Sequence, residues 1–268
     1  MTESVVELFD RVAGRYDDVL PFFAGFGRLV AGRLPAPKPG SRLPAPKPGS
    51  RLLDIGAGRG AIAVPARARG FEVTATDAAP AMVARLRDEQ PGLDVRLMDA
   101  AGLDFPDDSF DVVTAGLTMH ILDDAEAVSR EVRRVLRPGG LFAFTTPGRV
   151  PEGFKFADGA NALFAEFASY LPPQGSMGAP FDEIETLTAA GFEQIRETDL
   201  RLELPVADAE TFWQWFQTHG TRKFFDDLPP ARRADFRRRL IDDLTPRGPL
   251  VLRRYAWLYQ ARKPAQQP

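Results

Sequence analysis

The chain has 268 residues, 44% of them hydrophobic, with 34 basic against 37 acidic side chains and a formal net charge of −3. That size suits one α/β domain with an added cap, and the slight acidity supplies no field that would draw the protein to nucleic acid or to acidic membranes. There is no cysteine, which excludes disulfides, thiolate metal sites and a cysteine nucleophile.

In chain order, Ser4 to Arg15 and Phe22 to Leu34 read as two helices, a cap over residues 1–34 with Phe9, Phe22, Phe23 and Phe26 available to bury. The N-terminus lacks a basic region followed by an apolar one, and no apolar run reaches spanning length, so a soluble, cytoplasmic protein is expected. Residues 35–51 form a proline-rich linker, in which the nine residues 34–42 recur without change at 43–51. Each copy carries three prolines and one glycine, which predicts extended, polyproline-like chain rather than a structural repeat.

The main domain follows over 52–268. Its first strand, Arg51 to Ile55, carries Asp54 and runs into Gly56-Ala57-Gly58-Arg59-Gly60, three glycines at alternate positions that let a ligand approach the backbone. The next turn, starting at Ala61, is expected to offer free N–H groups to a polar ligand. Phe71 to Asp77 reads as a second strand ending in an acid, Val95 to Asp99 as a third, Phe110 to Gly116 as a fourth and Leu141 to Thr145 as a fifth. Leu136-Arg137-Pro138-Gly139-Gly140 stops the helix before that fifth strand. Residues 147–180 are rich in Gly, Pro and Phe and read as an irregular lid. Phe181 to Ala190 is predicted as a helix and Phe192 to Val206 as strand six. A helical roof over 207–248 follows, opened by Asp208 as a cap and continued from Pro229 or Pro230 to Leu244. Leu250 to Lys263 closes the chain as the last strand. The Trp- and Phe-rich part of the roof reads as packing, and its arginine run 237–239 as a solvated face. Strands alternating with helix-length segments predict a Rossmann-like, mostly parallel seven-stranded sheet with helices on both faces, and ligands in such sheets sit at the carboxyl ends of the strands.

Gly56, Gly58 and Ala61 also satisfy the looser dinucleotide fingerprint, which leaves an NAD-dependent oxidoreductase as an alternative. A carboxylate at the strand end would repel a pyrophosphate, whereas a ligand carrying an ammonium or sulfonium group reverses that sign. The glycine loop therefore suits S-adenosyl-L-methionine better. The ordered set Asp54-x-Gly-x-Gly-x-Gly, Asp77, Asp99 and Arg137-Pro-Gly-Gly resembles the class I S-adenosylmethionine-dependent methyltransferases. The segment Phe9 to Asp17 is similar to the N-terminal helix of the ubiquinone/menaquinone-biosynthesis group of small-molecule methyltransferases.

The resemblance implies that Tyr16, the aromatic after that helix, closes over the cofactor. The cofactor-binding candidates are Tyr16, Asp54, Gly56, Ala57, Gly58, Gly60, Asp77, Ala78, Met82, Asp99, Ala100, Ala115 and Gly116. Asp77 would accept both ribose hydroxyls, Asp99 with the Ala100 N–H would read adenine, Met82 would line the adenine face or the core, and Ala115 and Gly116 would approach the methionine part by backbone. Arg15 is expected to pair with Asp17 or Asp18. Quinone-methylating members carry a different run after strand four, so Gly116-Leu117-Thr118-Met119-His120 implies a more general small-molecule enzyme. The acceptor is expected to be apolar or aromatic and methylated on O, N or C, with neither nucleic acid nor a membrane as partner and no metal.

In-line displacement at an activated methyl mainly needs an acceptor held in line and away from water. A base is needed only for a poor nucleophile. The two histidines, His120 after strand four and His219 in the roof, are the candidates for that role. The competing roles are packing or capping for His120 and an ordinary helix C-terminal histidine for His219. A cofactor-binding protein that does not transfer methyl groups is the further alternative, because binding and chemistry are separable on one fold.

Overall fold

The computed structural model describes residues 3–35, 50–172 and 181–265. Helices α1 (Val5–Val12) and α2 (Phe22–Arg33) precede a run of strand–helix units: β1 (Arg51–Ile55), α3 (Ala63–Ala68), β2 (Glu72–Asp77), α4 (Pro80–Glu89), β3 (Asp94–Leu97), β4 (Phe110–Ala115), α5 (Ala125–Val135) and β5 (Leu136–Thr146). Then come α6 (Ala160–Phe167), α7 (Glu183–Ala189), β6 (Glu193–Val206), α8 (Ala209–Phe216), α9 (Thr221–Asp227), α10 (Pro230–Leu244) and β7 (Leu250–Arg262). Among the described residues no helix is long and apolar enough to cross a membrane.

The seven strands lie in the order β3-β2-β1-β4-β5-β7-β6. The first five are parallel, and β7 runs antiparallel between β5 and β6. Side-chain alternation assigns the two faces. Leu52, Val73, Val112 and Leu141 point to α2, α3 and α4 on one side. Leu53, Val113, Phe142 and Phe144 point to α5 and α7 on the other. Phe110, Phe142 and Phe144 are fully buried, and each contributes roughly 1.5–3 kcal/mol by leaving water.

The Arg137-Pro-Gly-Gly turn is stitched to the end of the chain. The Gly139 N–H donates to the Lys263 carbonyl at 2.9 Å, the Lys263 N–H returns to Gly140 at 3.0 Å, and the Arg137 guanidinium holds Asp111 at 2.9 Å. Strand pairing resumes immediately after α5, so β5 begins at Leu136, earlier than expected, with a register shift between Phe110 and Val112 opposite.

Two sequence expectations change here. Residues 147–172 are not wholly irregular, because α6 and a 3₁₀ turn at Ala168–Tyr170 form within them. Phe167 packs edge-on to Phe236 of α10 at 5.2 Å, and Glu166 pairs with Arg239 at 2.6 Å. The segment 221–227, not predicted as a helix of its own, is α9. With α8 and α10 these helices share one apolar cluster at the far end of the β6–β7 ribbon. Beneath it the buried Asp158 carboxylate holds Arg254 at 2.6 Å. The arginines of α10 are matched by acids, Arg237 with Glu210 and Arg238 with Asp235 and Asp242, in keeping with a solvated face. Most of the duplicated linker, 36–49, lies outside the described residues, as does 173–180 of the expected lid.

Candidate active site

The glycine loop leaves β1 with Gly56, Gly58 and Gly60 all at positive φ. A Cβ on Gly56 would meet Thr118 Cγ2 at 2.4 Å, so the turn is closed to any side chain there. At Gly58 a Cβ would stand 3.6 Å from the Tyr16 ring, which lies directly over the loop. Tyr16 is 9% exposed and stacks on Phe23 of α2 with centroids 4.3 Å apart.

The loop is held from below by the two strand-end acids. Asp54, 1% exposed, accepts the Thr114 hydroxyl at 2.7 Å and the Ala63 N–H at 3.0 Å. Burial outweighs those hydrogen bonds and pushes its carboxyl up to about 7. The expectation of a free N–H at the start of α3 is therefore corrected at Ala63, whose N–H is taken by Asp54 because β1 and β4 bring Asp54 beside Thr114 under the turn. Asp77 accepts the Gly58 N–H at 2.8 Å and the Ala79 N–H at 2.9 Å, with the Ala78 N–H also turned toward it. Burial raises its carboxyl above the usual range. Asp99 stands two residues past the end of β3, exposed, and accepts the Ala101 N–H at 2.9 Å.

A small cleft, partly open to solvent, lies above the strand ends. Gly56, Ala57, Ala61 and Ile62 form one wall, Gly116, Leu117 and Thr145 the floor, and Tyr16, Phe23, Phe26, Gly27 and Val30 the wall opposite. Ala115 turns its methyl into the core on the α5 side, leaving only its backbone toward the strand ends. Met82 is buried with Leu8, Val12, Ala13, Tyr16 and Ala79, where α1 meets α4, and Ala100 is buried in the α5-side core. Gly60 closes the loop with its N–H on the Ala57 carbonyl at 2.8 Å.

Neither histidine lines the cleft. His120 sits in a 3₁₀ turn at Met119–Ile121, its Nδ1 buried without a hydrogen-bond partner, and burial lowers it to about 4. His219 lies among Phe22, Phe23 and Trp215, with Nε2 3.2 Å from the Thr221 hydroxyl, and burial lowers it to about 3. Helix α2 is interposed between the roof and the cleft, which sets His219 behind Phe23.

The sequence reading also missed several participants. Leu117 adopts φ +52, and its N–H is held by the Thr145 hydroxyl at 2.9 Å. Thr118 bridges the Gly56 and Gly116 carbonyls at 3.3 and 3.2 Å. Asp10 of α1 accepts the Ala81 N–H of α4 at 2.5 Å. Asp17 and Asp18 are engaged elsewhere than by Arg15. Asp17 accepts the Phe23 and Ala24 N–H groups at the start of α2, and Asp18 pairs with Arg59. Most of these roles depend on contacts between distant segments; Asp17 is the exception, capping N–H groups six and seven residues further along.

A glycine loop at the carboxyl end of β1, an acid at the end of β2 and a reversed β7 between β5 and β6 define a class I methyltransferase fold. Residues 53–144 match the family described as a methyltransferase domain. Nocamycin O-methyltransferase of Saccharothrix syringae is 36% identical over 263 residues, spanning 89% of this chain and 90% of that protein. Demethylmenaquinone methyltransferase of Thermus thermophilus is 38% identical over 139 residues, which span 50% of this chain and 61% of that enzyme. Among solved structures, the YcgJ protein of Bacillus subtilis superposes with a TM-score of 0.54 at 22% identity, over 82% of this chain and 94% of that one. The chain belongs to the S-adenosylmethionine-dependent methyltransferase family. Its reaction is transfer of a methyl group from that donor to a small molecule.

Proposed function

We propose that the protein methylates an oxygen of a small, largely apolar metabolite, and that the donor lies along the glycine loop with its reactive end in the cleft under Tyr16. The observation that carries this reading is the cleft itself, backbone on one side and aromatic or aliphatic side chains on the other, with Tyr16 and Thr145 as its polar side chains. An apolar pocket with a few placed hydroxyls favours an uncharged, apolar body over a phosphorylated or nucleic-acid substrate. Likeness to an O-methyltransferase along nearly the whole chain supports oxygen as the acceptor atom.

The donor supplies an already activated methyl group. In this reading the chain's residues bind, orient and exclude water. Asp77 takes the ribose hydroxyls, exchanging its Gly58 N–H for them or sharing it. Asp99 and the Ala100 N–H read the adenine edge, and Met82, with Ala78 beside it, supports its face. The backbones of Gly56, Ala57, Gly58, Gly60, Ala115 and Gly116 allow close approach. Asp54 acts on the ammonium group through its field, since both its oxygens are engaged beneath the loop. His120 and His219 are left to positioning rather than to proton transfer from the acceptor.

The test has two arms. Calorimetric titration with S-adenosylmethionine, S-adenosylhomocysteine and NADH should show about micromolar binding of the sulfur ligands, weakened at least tenfold in Asp77→Ala. Incubation with methyl-labelled donor and a panel of apolar hydroxy, carboxy and amino compounds should place the label on oxygen. Label appearing only on nitrogen or carbon would overturn the oxygen assignment, and sulfur-ligand affinity unchanged in Asp77→Ala would overturn the site.

A further inference from the structure

Arg59 stands between the second and third glycines of the loop, and its guanidinium reaches across to the segment that carries Tyr16. Its Nη1 donates to the Tyr16 carbonyl and to the Asp18 carboxylate. Its Nε and Nη2 grip Glu89, at the end of α4, as a two-pronged pair at 3.0 and 2.6 Å. Arg85 adds a contact to Glu89 at 2.6 Å and reaches Asp18 at 4.0 Å. One side chain thus ties the glycine loop, the segment above it and a core helix together.

The tied segment turns at Asp17, the point about which it would pivot. Asp17, between Tyr16 and Asp18, holds φ +60, a conformation that costs a non-glycine residue energy and persists only where its surroundings enforce it. Its carboxylate caps α2 through the Phe23 and Ala24 N–H groups at 2.9 and 2.8 Å, so the α2 side of the pivot is anchored. On the other side, Tyr16 is held down on Gly58 by the Phe23 stack, the edge of Phe9 at 6.0 Å, its burial with Met82 and Ala79 where α1 meets α4, and the Arg59 Nη1 contacts to the Tyr16 carbonyl and Asp18. Of these, the Nη1 contacts are the polar ones that tie the segment to the glycine loop, and the fork on Glu89 fixes the guanidinium that makes them.

We propose that Arg59 is a positioning residue for the reaction, a latch that holds Tyr16 over the cleft and sets how long the donor and its product stay bound. The proposal rests on the reading that the donor occupies that cleft. A ligand lying on the loop beneath Tyr16 leaves faster once the segment lifts, and lifting it separates Arg59 from the Tyr16 carbonyl and Asp18. Charge-assisted contacts of this kind are stronger than neutral ones, and the Arg59–Asp18 pair, partly exposed, weakens with salt. Release of the bound molecule should therefore be slow at low ionic strength and faster at high.

The test uses the full chain with S-adenosylhomocysteine as probe. Its dissociation rate is read by stopped flow for the unaltered protein, Arg59→Met, Asp18→Asn and the double variant. Arg59→Met should release the probe about tenfold faster, Asp18→Asn a few-fold faster, and the double variant no faster than Arg59→Met. Arg59→Lys should restore only part of the residence time, because an ammonium cannot make the fork. Added salt should speed release from the unaltered protein and leave Arg59→Met nearly unchanged. Hydrogen exchange of residues 13–18 in the ligand-free protein should quicken in both single variants while the melting temperature of Asp18→Asn stays close to that of the unaltered protein. Equal dissociation rates in all four proteins, or exchange over 13–18 that ignores both substitutions, would overturn the latch. If the unaltered protein failed to bind the probe, the donor-binding reading would fall, and the exchange measurement would still decide whether Arg59 holds the segment down.

Discussion

Asp54 keeps its two oxygens on Thr114 and Ala63 in a site shut to water, and burial raises its carboxyl from 3.8 to about 7. Folding therefore strengthens its hold on a proton. The associated stabilisation is complete below about pH 4 and is lost as pH rises toward 7. An asparagine there keeps both contacts, with its oxygen on the Ala63 N–H and its amide donating to Thr114, and has no charge to bury. Relative to the unaltered protein, Asp54→Asn should gain stability between pH 4 and pH 8, by an amount on the order of 4 kcal/mol. Urea unfolding at the two pH values checks this, and parallel stability–pH curves for the two proteins would disprove it. The presence of Asp54 is readable from its place before the glycines. Its orientation is not, because Thr114 lies on a neighbouring strand sixty residues away in the chain.

Helix α2 decides the shape of the cleft through close contact on two faces. A Cβ on Gly27 would lie 1.8 Å from the Ala61 carbonyl oxygen, and one on Gly25 2.9 Å from Leu202 of β6. Gly32, on the same helix, has nothing within 4 Å. Gly27→Ala should push the helix off the glycine loop, costing about 1–3 kcal/mol and weakening S-adenosylhomocysteine binding. Gly32→Ala should stabilise the protein by up to about 1 kcal/mol. Denaturant midpoints and calorimetry of the two variants provide the comparison, and similar midpoints for both would show that α2 does not press on the loop. Apolar content marked α2 as something to bury, but its amino-acid pattern does not say against what. The eight residues of α6 were missed for the complementary reason. A helix that short gains little from local propensity and is held by burial of Phe167 against Phe236.

Across the whole molecule, three units converge on one end of the sheet: the α1–α2 cap, the strand-end loops and the helical cluster on the β6–β7 ribbon. The cap joins the sheet through the linker that contains the nine-residue duplication. Lengthening a connecting segment by nine residues costs little closure entropy, so deleting residues 34–42 should leave S-adenosylhomocysteine affinity within about twofold, measured by calorimetry. A large loss would mean that both copies are needed to bring α2 onto the loop. Whereas the strand order and the reversal of β7 come from the tertiary structure, the seven strands, their mostly parallel arrangement, the glycine turn and the acids at the strand ends could be read along the chain. Each is written in local signals: alternation of apolar residues, glycines at fixed spacing, and a carboxylate where a strand stops. The cleft's outer wall, the burial of both histidines away from it, the inward turn of Asp54 and the Arg59 fork could not be read that way. They arise where segments far apart in sequence meet, and there burial and shape fit, rather than neighbouring residues, choose which side chain faces the ligand and which is sealed behind it.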